Sequence, residues 1–185
     1  MQIIKLNQVK ERELIKKIKE GAVIIYPTDT VYGIGCDALN YIAVERIRKI
    51  KQRDEKPFSV IAPNKEWIIK NFYVNKHYIE RLPGPFTFIL RIKKSGIVAS
   101  NVTNNKTLGV RIPNHKLTTR LQKAGIPFIT TSVNISGKEP ITSVEEIPNE
   151  ISRNVDIIID DGKLDNNPSI IIDLTEKLAK ILRKQ

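Results

Sequence analysis

At 185 residues, with 41% hydrophobic and 28% charged side chains, the chain has the size and composition of a single folded domain, 1–185, and not of a disordered polymer. No apolar run approaches the roughly 18 residues that a membrane span needs, and the opening Met1-Gln2-Ile3-Ile4-Lys5-Leu6 lacks the apolar core of a secretory signal. The net charge of +11 points to an anionic partner (nucleotide, phosphate or RNA), set against a solubility charge or the Lys-rich bias of heat-adapted proteins, while the lone Cys36 excludes an intrachain disulfide and favours a reducing, cytoplasmic setting.

Val9, Leu14, Ile15 and Ile18 recur at helical spacing and predict a first helix over 9–20, with Asn7 as N-cap and Gly21 as stop. The apolar stretch 22–26 reads as a buried strand. A polar segment follows, Tyr26-Pro27-Thr28-Asp29-Thr30-Val31-Tyr32-Gly33-Ile34-Gly35-Cys36-Asp37-Ala38. A plain strand-to-helix connection needs only about two to six residues, so a long polar one after a buried strand is a candidate site wall. A second helix is predicted over 43–51, a strand over 58–62, and short helices over 65–71 and 76–81 capped by Asn64 and Asn75. Pro83-Gly84-Pro85 is a rigid turn into a strand over 86–92. Strands are expected over 107–112 and 127–131, separated by a helix with Asn114 as cap, Leu117 and Leu121 inward, and Gly125 as stop. A short helix over 143–150, a strand over 154–159, a turn at 160–162 and a hairpin of 169–174 with 178–182 complete the chain. The elements lack strict βαβ alternation, which predicts an α/β (α+β) fold: an open, mixed β-sheet flanked by helices.

Three segments carry chemistry. The run Arg46-Ile47-Arg48-Lys49-Ile50-Lys51-Gln52-Arg53-Asp54-Glu55-Lys56-Pro57 holds six cations. Arg46, Arg48 and Lys49 read as a solvated helix face. Lys51 and Arg53 lie where the helical pattern decays, so they can project into a site, a point charge and a planar fork suited to polyphosphate. Thr130-Thr131-Ser132-Val133-Asn134-Ile135-Ser136-Gly137 follows a strand and is dense in hydroxyls and amides; it either donates to anionic oxygens or closes on its own backbone as a turn. Arg111 interrupts the apolar strand Leu108-Gly109-Val110-Arg111-Ile112; facing inward it needs a partner, facing outward it needs none, and Thr107 shares its face in either case. Walker A and G-x-G-x-x-G fingerprints are absent. His77 and His115 have no metal-ligand spacing with Cys36, which reads as structural, and no Ser-His pair is indicated.

Together these segments resemble the YrdC-like family of threonylcarbamoyl-adenylate synthases. The matching pieces are Pro27–Gly33, Lys51-x-Arg53 with Lys56-Pro57, Pro83–Thr87, Val110–Pro113, Thr131–Gly137 and Pro168-Ser169 before Ile170–Asp173, in the family's order and over nearly the whole chain. The resemblance implies a twisted mixed sheet around a concave, positive cavity. It also implies a reaction of L-threonine, bicarbonate and ATP, with Mg²⁺ accompanying the nucleotide, to give threonylcarbamoyl-AMP and pyrophosphate, the first step of threonylcarbamoyladenosine modification of tRNA beside the anticodon. Downstream transfer proteins would pass the group on, with tRNA itself met indirectly or weakly. By motif, Thr30, Arg111, Thr130 and Ser169 look like threonine contacts. Lys51, Arg53, Lys56, Thr107, Ser132, Asn134 and Arg183 look like ATP contacts, with Lys51, Arg53, Ser132 and Asn134 as the catalytic set. Longer members often carry His, Ser and Thr where this chain has Ile61, Pro140 and Ile170, and an extra C-terminal domain. Competing readings are a non-catalytic double-stranded RNA-binding module, needing only shape and charge, and a carbamoyl-adenylate enzyme with another acceptor.

Overall fold

The computed structural model describes residues 1–53, 56–135 and 139–184. The chain begins with β1 (Gln2–Lys5), α1 (Glu11–Lys19), β2 (Ile24–Tyr26), β3 (Gly33–Gly35), α2 (Tyr41–Ile50) and β4 (Ser59–Ile61). It continues through α3 (Lys65–Asn71), β5 (Phe72–Tyr73), α4 (Lys76–Glu80), β6 (Phe86–Ile92) and β7 (Thr107–Arg111). The last elements are α5 (Lys116–Gln122), β8 (Phe128–Ser132), α6 (Asn149–Ser152), β9 (Ile157–Asp160), β10 (Ile170–Asp173) and β11 (Lys180–Arg183). The strands form one mixed sheet in the order β1-β9-β2-β3-β8-β4-β7-β6-β10-β11, with β5 pairing β6 off that path. This is the open mixed sheet that the pattern of elements predicts.

Strand alternation divides the apolar residues between two layers. Val23 and Ile25 of the second strand region join Val60, Phe88, Leu90 and Val110 on one face, under Ala43, Val44 and Ile47 of α2 and Ile68 of α3. Ile24 and Tyr26 point the other way, where Leu14 and Ile18 of α1 and Leu117 and Leu121 of α5 cover them. Further along that second face, the register places Gly33 against Ser132, Ser59 against Thr130 and Gly109 against Ser59. Small and polar side chains there leave a hollow instead of a core.

Two glycines are required by close approach. A Cβ on Gly109 would lie 2.3 Å from Ser59 Oγ, so a side chain here would close the hollow. At Gly35 a Cβ would lie 1.9 Å from the Ile129 carbonyl oxygen, which is backbone and cannot swing aside. Gly35→Ala must therefore part β3 from β8. We expect a loss of about 3 kcal/mol, read as a melting temperature roughly 6–12 °C lower by differential scanning calorimetry. An unchanged melting temperature would contradict this packing.

Several local expectations are met. Asn64 accepts from Trp67 N–H at 2.7 Å and Asn75 from His77 N–H at 3.0 Å, and Gly21 ends α1 with φ of +95°. Others are corrected. Asn7 is not an N-cap: Leu6–Gln8 forms a 3-10 turn, and α1 starts at Glu11 without a side-chain cap. The α5 cap is His115, whose Nδ1 accepts from Leu117 N–H at 3.2 Å, while the Asn114 N–H donates to Asp29. The expected 143–150 helix is a 3-10 turn, Val144–Glu146, then α6. β1, β3 and β5 are not among the predicted strands, because each is held by pairing to another strand rather than by local propensity.

Candidate functional site

The hollow holds a cavity of about 250 Å³. The Thr28–Gly33 segment forms one wall, Thr130, Thr131 and Ser132 of β8 and Ser59 of β4 another, and Thr87, Arg111, Ser169, Ile171 and Arg183 the floor and far side; Arg53 stands at its edge. Eight of these side chains are Ser or Thr and three are Arg, so the cavity offers many neutral donors beside guanidinium groups. That arrangement suits a small anionic or zwitterionic ligand.

Arg111 faces inward and is 7% exposed. Its Nη2 donates to Asp29 Oδ1 at 2.6 Å, and Nη1 and Nη2 lie 3.5 and 3.4 Å from Thr30 Oγ1. The other Asp29 oxygen accepts the Asn114 N–H at 2.8 Å, so the carboxylate is fixed from two sides. Burial pushes the Arg111 guanidinium down from its ordinary value, and Asp29 and Tyr26 pull it back. Its Nε has no partner among the described residues, leaving donor capacity unused in a buried group. Thr30 Oγ1 also contacts Thr28 Oγ1 at 2.9 Å, and Thr130 Oγ1 accepts from Tyr26 at 2.7 Å. Four threonine-side positions predicted from motifs (Thr30, Arg111, Thr130, Ser169) thus converge on one cavity.

The predicted phosphate-side set is only partly brought together. Lys51 is neither a solvated side chain nor one projecting into the cavity. It is 2% exposed, and its Nζ donates to Ser132 O at 2.6 Å, Asn134 O at 2.8 Å and Asn134 Oδ1 at 3.0 Å. Ser132 Oγ also donates to Asn134 Oδ1, at 2.6 Å. Lys51 therefore ties the C-terminal end of α2 to the Ser132–Asn134 loop. Burial, and then the Arg53 charge, push its ammonium down to about 7. Arg53 donates to the carbonyls of Lys56 and Pro57, approaches Thr131 Oγ1 at 3.5 Å, and stacks over Phe58 at 5.0 Å. Arg48 lies over the same ring at 4.7 Å and donates to Asn101 O, and Arg46 pairs with Asp156 at 3.0 Å, so of the predicted solvated face Lys49 is exposed and the two arginines are half-buried.

Lys56 is exposed and outside the lining. Thr107 is at the opposite end of β7 from Arg111, about 13 Å away along the strand, and does not line the cavity either. Arg183 does reach it, but as a partner of Ser169: Nε donates to Ser169 O at 2.8 Å and Nη2 to Ser169 Oγ at 3.0 Å. Asp54 and Glu55 of the basic run, and Ser136 and Gly137 of the second motif, lie outside the described residues. Thr28, Asp29 and Thr131 belong to segments that the sequence marks as candidate walls without singling them out; Ser59 and Thr87 are placed here by the sheet register, which no local pattern carries.

Cys36 is fully buried and burial raises its thiol, which removes it as a nucleophile. Among the described residues no group of three or more His, Cys, Asp or Glu could hold a metal ion, and no helix is long and apolar enough to cross a membrane.

The Sua5/YciO/YrdC sequence family, described as "Telomere recombination", matches residues 16–185. A Methanocaldococcus jannaschii protein with the provisional name threonylcarbamoyl-AMP synthase is 41% identical, covering 94% of this chain and 88% of its own length. The crystal structure of P. abyssi Sua5 complexed with L-threonine superposes with a TM-score of 0.87 at 30% identity, over 99% of this chain. This chain spans 57% of that Sua5 chain. The E. coli YciO structure superposes with a TM-score of 0.85 at 29% identity, covering 99% of this chain and 94% of that one.

Proposed function

The chain belongs to the Sua5/YciO/YrdC family, and on that premise we propose that it is a threonylcarbamoyl-AMP synthase. The observation that carries this reading is the buried Arg111 guanidinium, its Nε without a partner among the described residues, set beside Thr30 in a cavity lined by hydroxyls. A guanidinium fork is the best match for the carboxylate of a free amino acid. The cavity volume of about 250 Å³ suits such a ligand, and the phosphates of a nucleotide would lie toward Arg53 and the Ser132–Asn134 loop.

In the proposed reaction the threonine amine adds to bicarbonate with loss of water, giving a carbamate. One carbamate oxygen then attacks the α-phosphorus of ATP, the bond to the β-phosphate bridging oxygen breaks, and pyrophosphate leaves. No protein nucleophile takes part. The chain's share is to orient two anions and to offset the charge that builds between them. Arg111, Thr30 and Ser169 hold the amino acid. Arg53 and the Ser132 and Asn134 side chains meet the phosphates, and Lys51 acts through that loop as a positioning residue. Asp29, the carboxylate paired with Arg111, is already engaged by Arg111 and Asn114, so Mg²⁺ would arrive on the ATP phosphates as part of the substrate. The product threonylcarbamoyl group would pass, through partner proteins, to tRNA.

Pyrophosphate release is expected only when L-threonine, bicarbonate and MgATP are all present. The assay omits each in turn. Equal release without threonine would leave an ATPase and overturn the synthase reading.

A further inference from the structure

We infer that Thr87 is a further substrate-binding residue of this cavity, its hydroxyl paired with that of Ser169 to donate one hydrogen bond to an acceptor oxygen of the bound amino acid beside Arg111. Strand register supplies the first part of the argument. Phe88 of β6 pairs with Val110 of β7, so one step further Thr87 lies across from Arg111 on the same face. Cross-strand neighbours have Cβ atoms about 4.5–5.5 Å apart, which sets the two side chains next to each other at their bases, and both line the cavity. On its other side Thr87 pairs with Ile171, also in the cavity lining. The side chain is 4% exposed, so its polar group must be satisfied within the site.

Proton accounting supplies the second part. Thr87 Oγ1 and Ser169 Oγ are 2.9 Å apart, and either can be the donor. Arg183 Nη2 donates to the same Ser169 oxygen at 3.0 Å, while Arg183 Nε holds the Ser169 carbonyl. A guanidinium only donates, so Ser169 Oγ already accepts once. The two hydroxyls together carry two protons, and only one can lie between them. The other has no acceptor among the described residues. If Ser169 donates to Thr87, the Thr87 proton is the spare one; if Thr87 donates to Ser169, the spare proton is on Ser169. Either way the pair presents one O–H to the cavity, and both hydroxyls are needed to direct it. Arg183 acts through Ser169, as a positioning residue.

The inference rests on the synthase reading, and the test separates the two. L-threonine binding is measured by titration calorimetry, and the threonine KM by pyrophosphate release, for wild type, Thr87→Val and Thr87→Ser. Valine keeps the shape and removes the hydroxyl; serine keeps the hydroxyl. The expected result is a threonine Kd and KM about tenfold or more higher for the valine variant, and within about twofold of wild type for the serine variant. Wild-type binding by the valine variant would overturn the role of Thr87 alone. An equal loss in both variants would also overturn it, by showing that the methyl packing matters instead. A wild-type protein that neither binds threonine nor needs it for pyrophosphate release would overturn the synthase reading and this inference with it.

Discussion

Arg111→Lys is expected to raise the threonine requirement by about ten- to a hundredfold, because one charge-assisted hydrogen bond contributes roughly 1.5–3 kcal/mol. The arginine is held in β7 with Ile61 paired beside it and with Asp29 clamping Nη2 at 2.6 Å, so its plane is set before any ligand arrives. Lysine retains the charge and can still meet Asp29, but it loses the parallel N–H pair that grips a carboxylate. The check is the threonine KM in the pyrophosphate assay, alongside ATP binding measured without threonine. ATP affinity should stay near its wild-type value. A variant that loses ATP affinity and keeps its threonine response would move Arg111 to the phosphate side of the site.

Lys51→Met should lower both activity and stability, an outcome that motif matching alone does not anticipate for an ATP-contacting lysine. Methionine fills much of the stem volume, so the change isolates the ammonium and its three bonds to Ser132 and Asn134. Removing these three part-buried hydrogen bonds is expected to cost about 2–4 kcal/mol. Displacing the Ser132–Asn134 loop by about 1 Å is expected to reduce turnover by about a hundredfold. The stability loss carries a pH signature. The native ammonium gives up its proton through about pH 7, whereas an unfolded lysine keeps it to about 10.4. Between those values the unfolded chain binds more protons, so this site makes wild-type stability rise with pH; below 7 both states are charged and the burial cost is borne in full. Methionine abolishes that rise, so the deficit of the variant should be larger at pH 9 than at pH 6. Denaturant titrations at the two pH values test this. A deficit independent of pH, or wild-type stability at both, would put the Nζ in water.

The continuous apolar run 22–26 was enough to announce a buried strand, and the Asn64 and Asn75 caps were readable because capping is a contact with the next turn. The polar segment after β2 was likewise legible as a site wall, while the hydroxyl-rich one at the end of β8 left open whether it meets a ligand or closes on its own backbone. Sequence by itself thus determined the class of sheet, segments that line the cavity and the family. The tertiary structure alone decided what each side chain does there. Arg111 finds Asp29 across 82 residues of chain, and Lys51 finds Asn134 across 83. Whether a cation at the end of a helix enters solvent, a cavity or a loop's carbonyls depends on what arrives from elsewhere, and periodicity holds no record of that. Strand register is the same kind of fact: it sets Thr87 beside Arg111 and leaves Thr107 about 13 Å away on the same strand face. Local residue patterns specify which face a side chain occupies, because the strand period is a property of the backbone. Which side chains meet on that face is a property of pairing between distant strands, fixed only when the whole sheet closes its hydrogen bonds and buries its two cores.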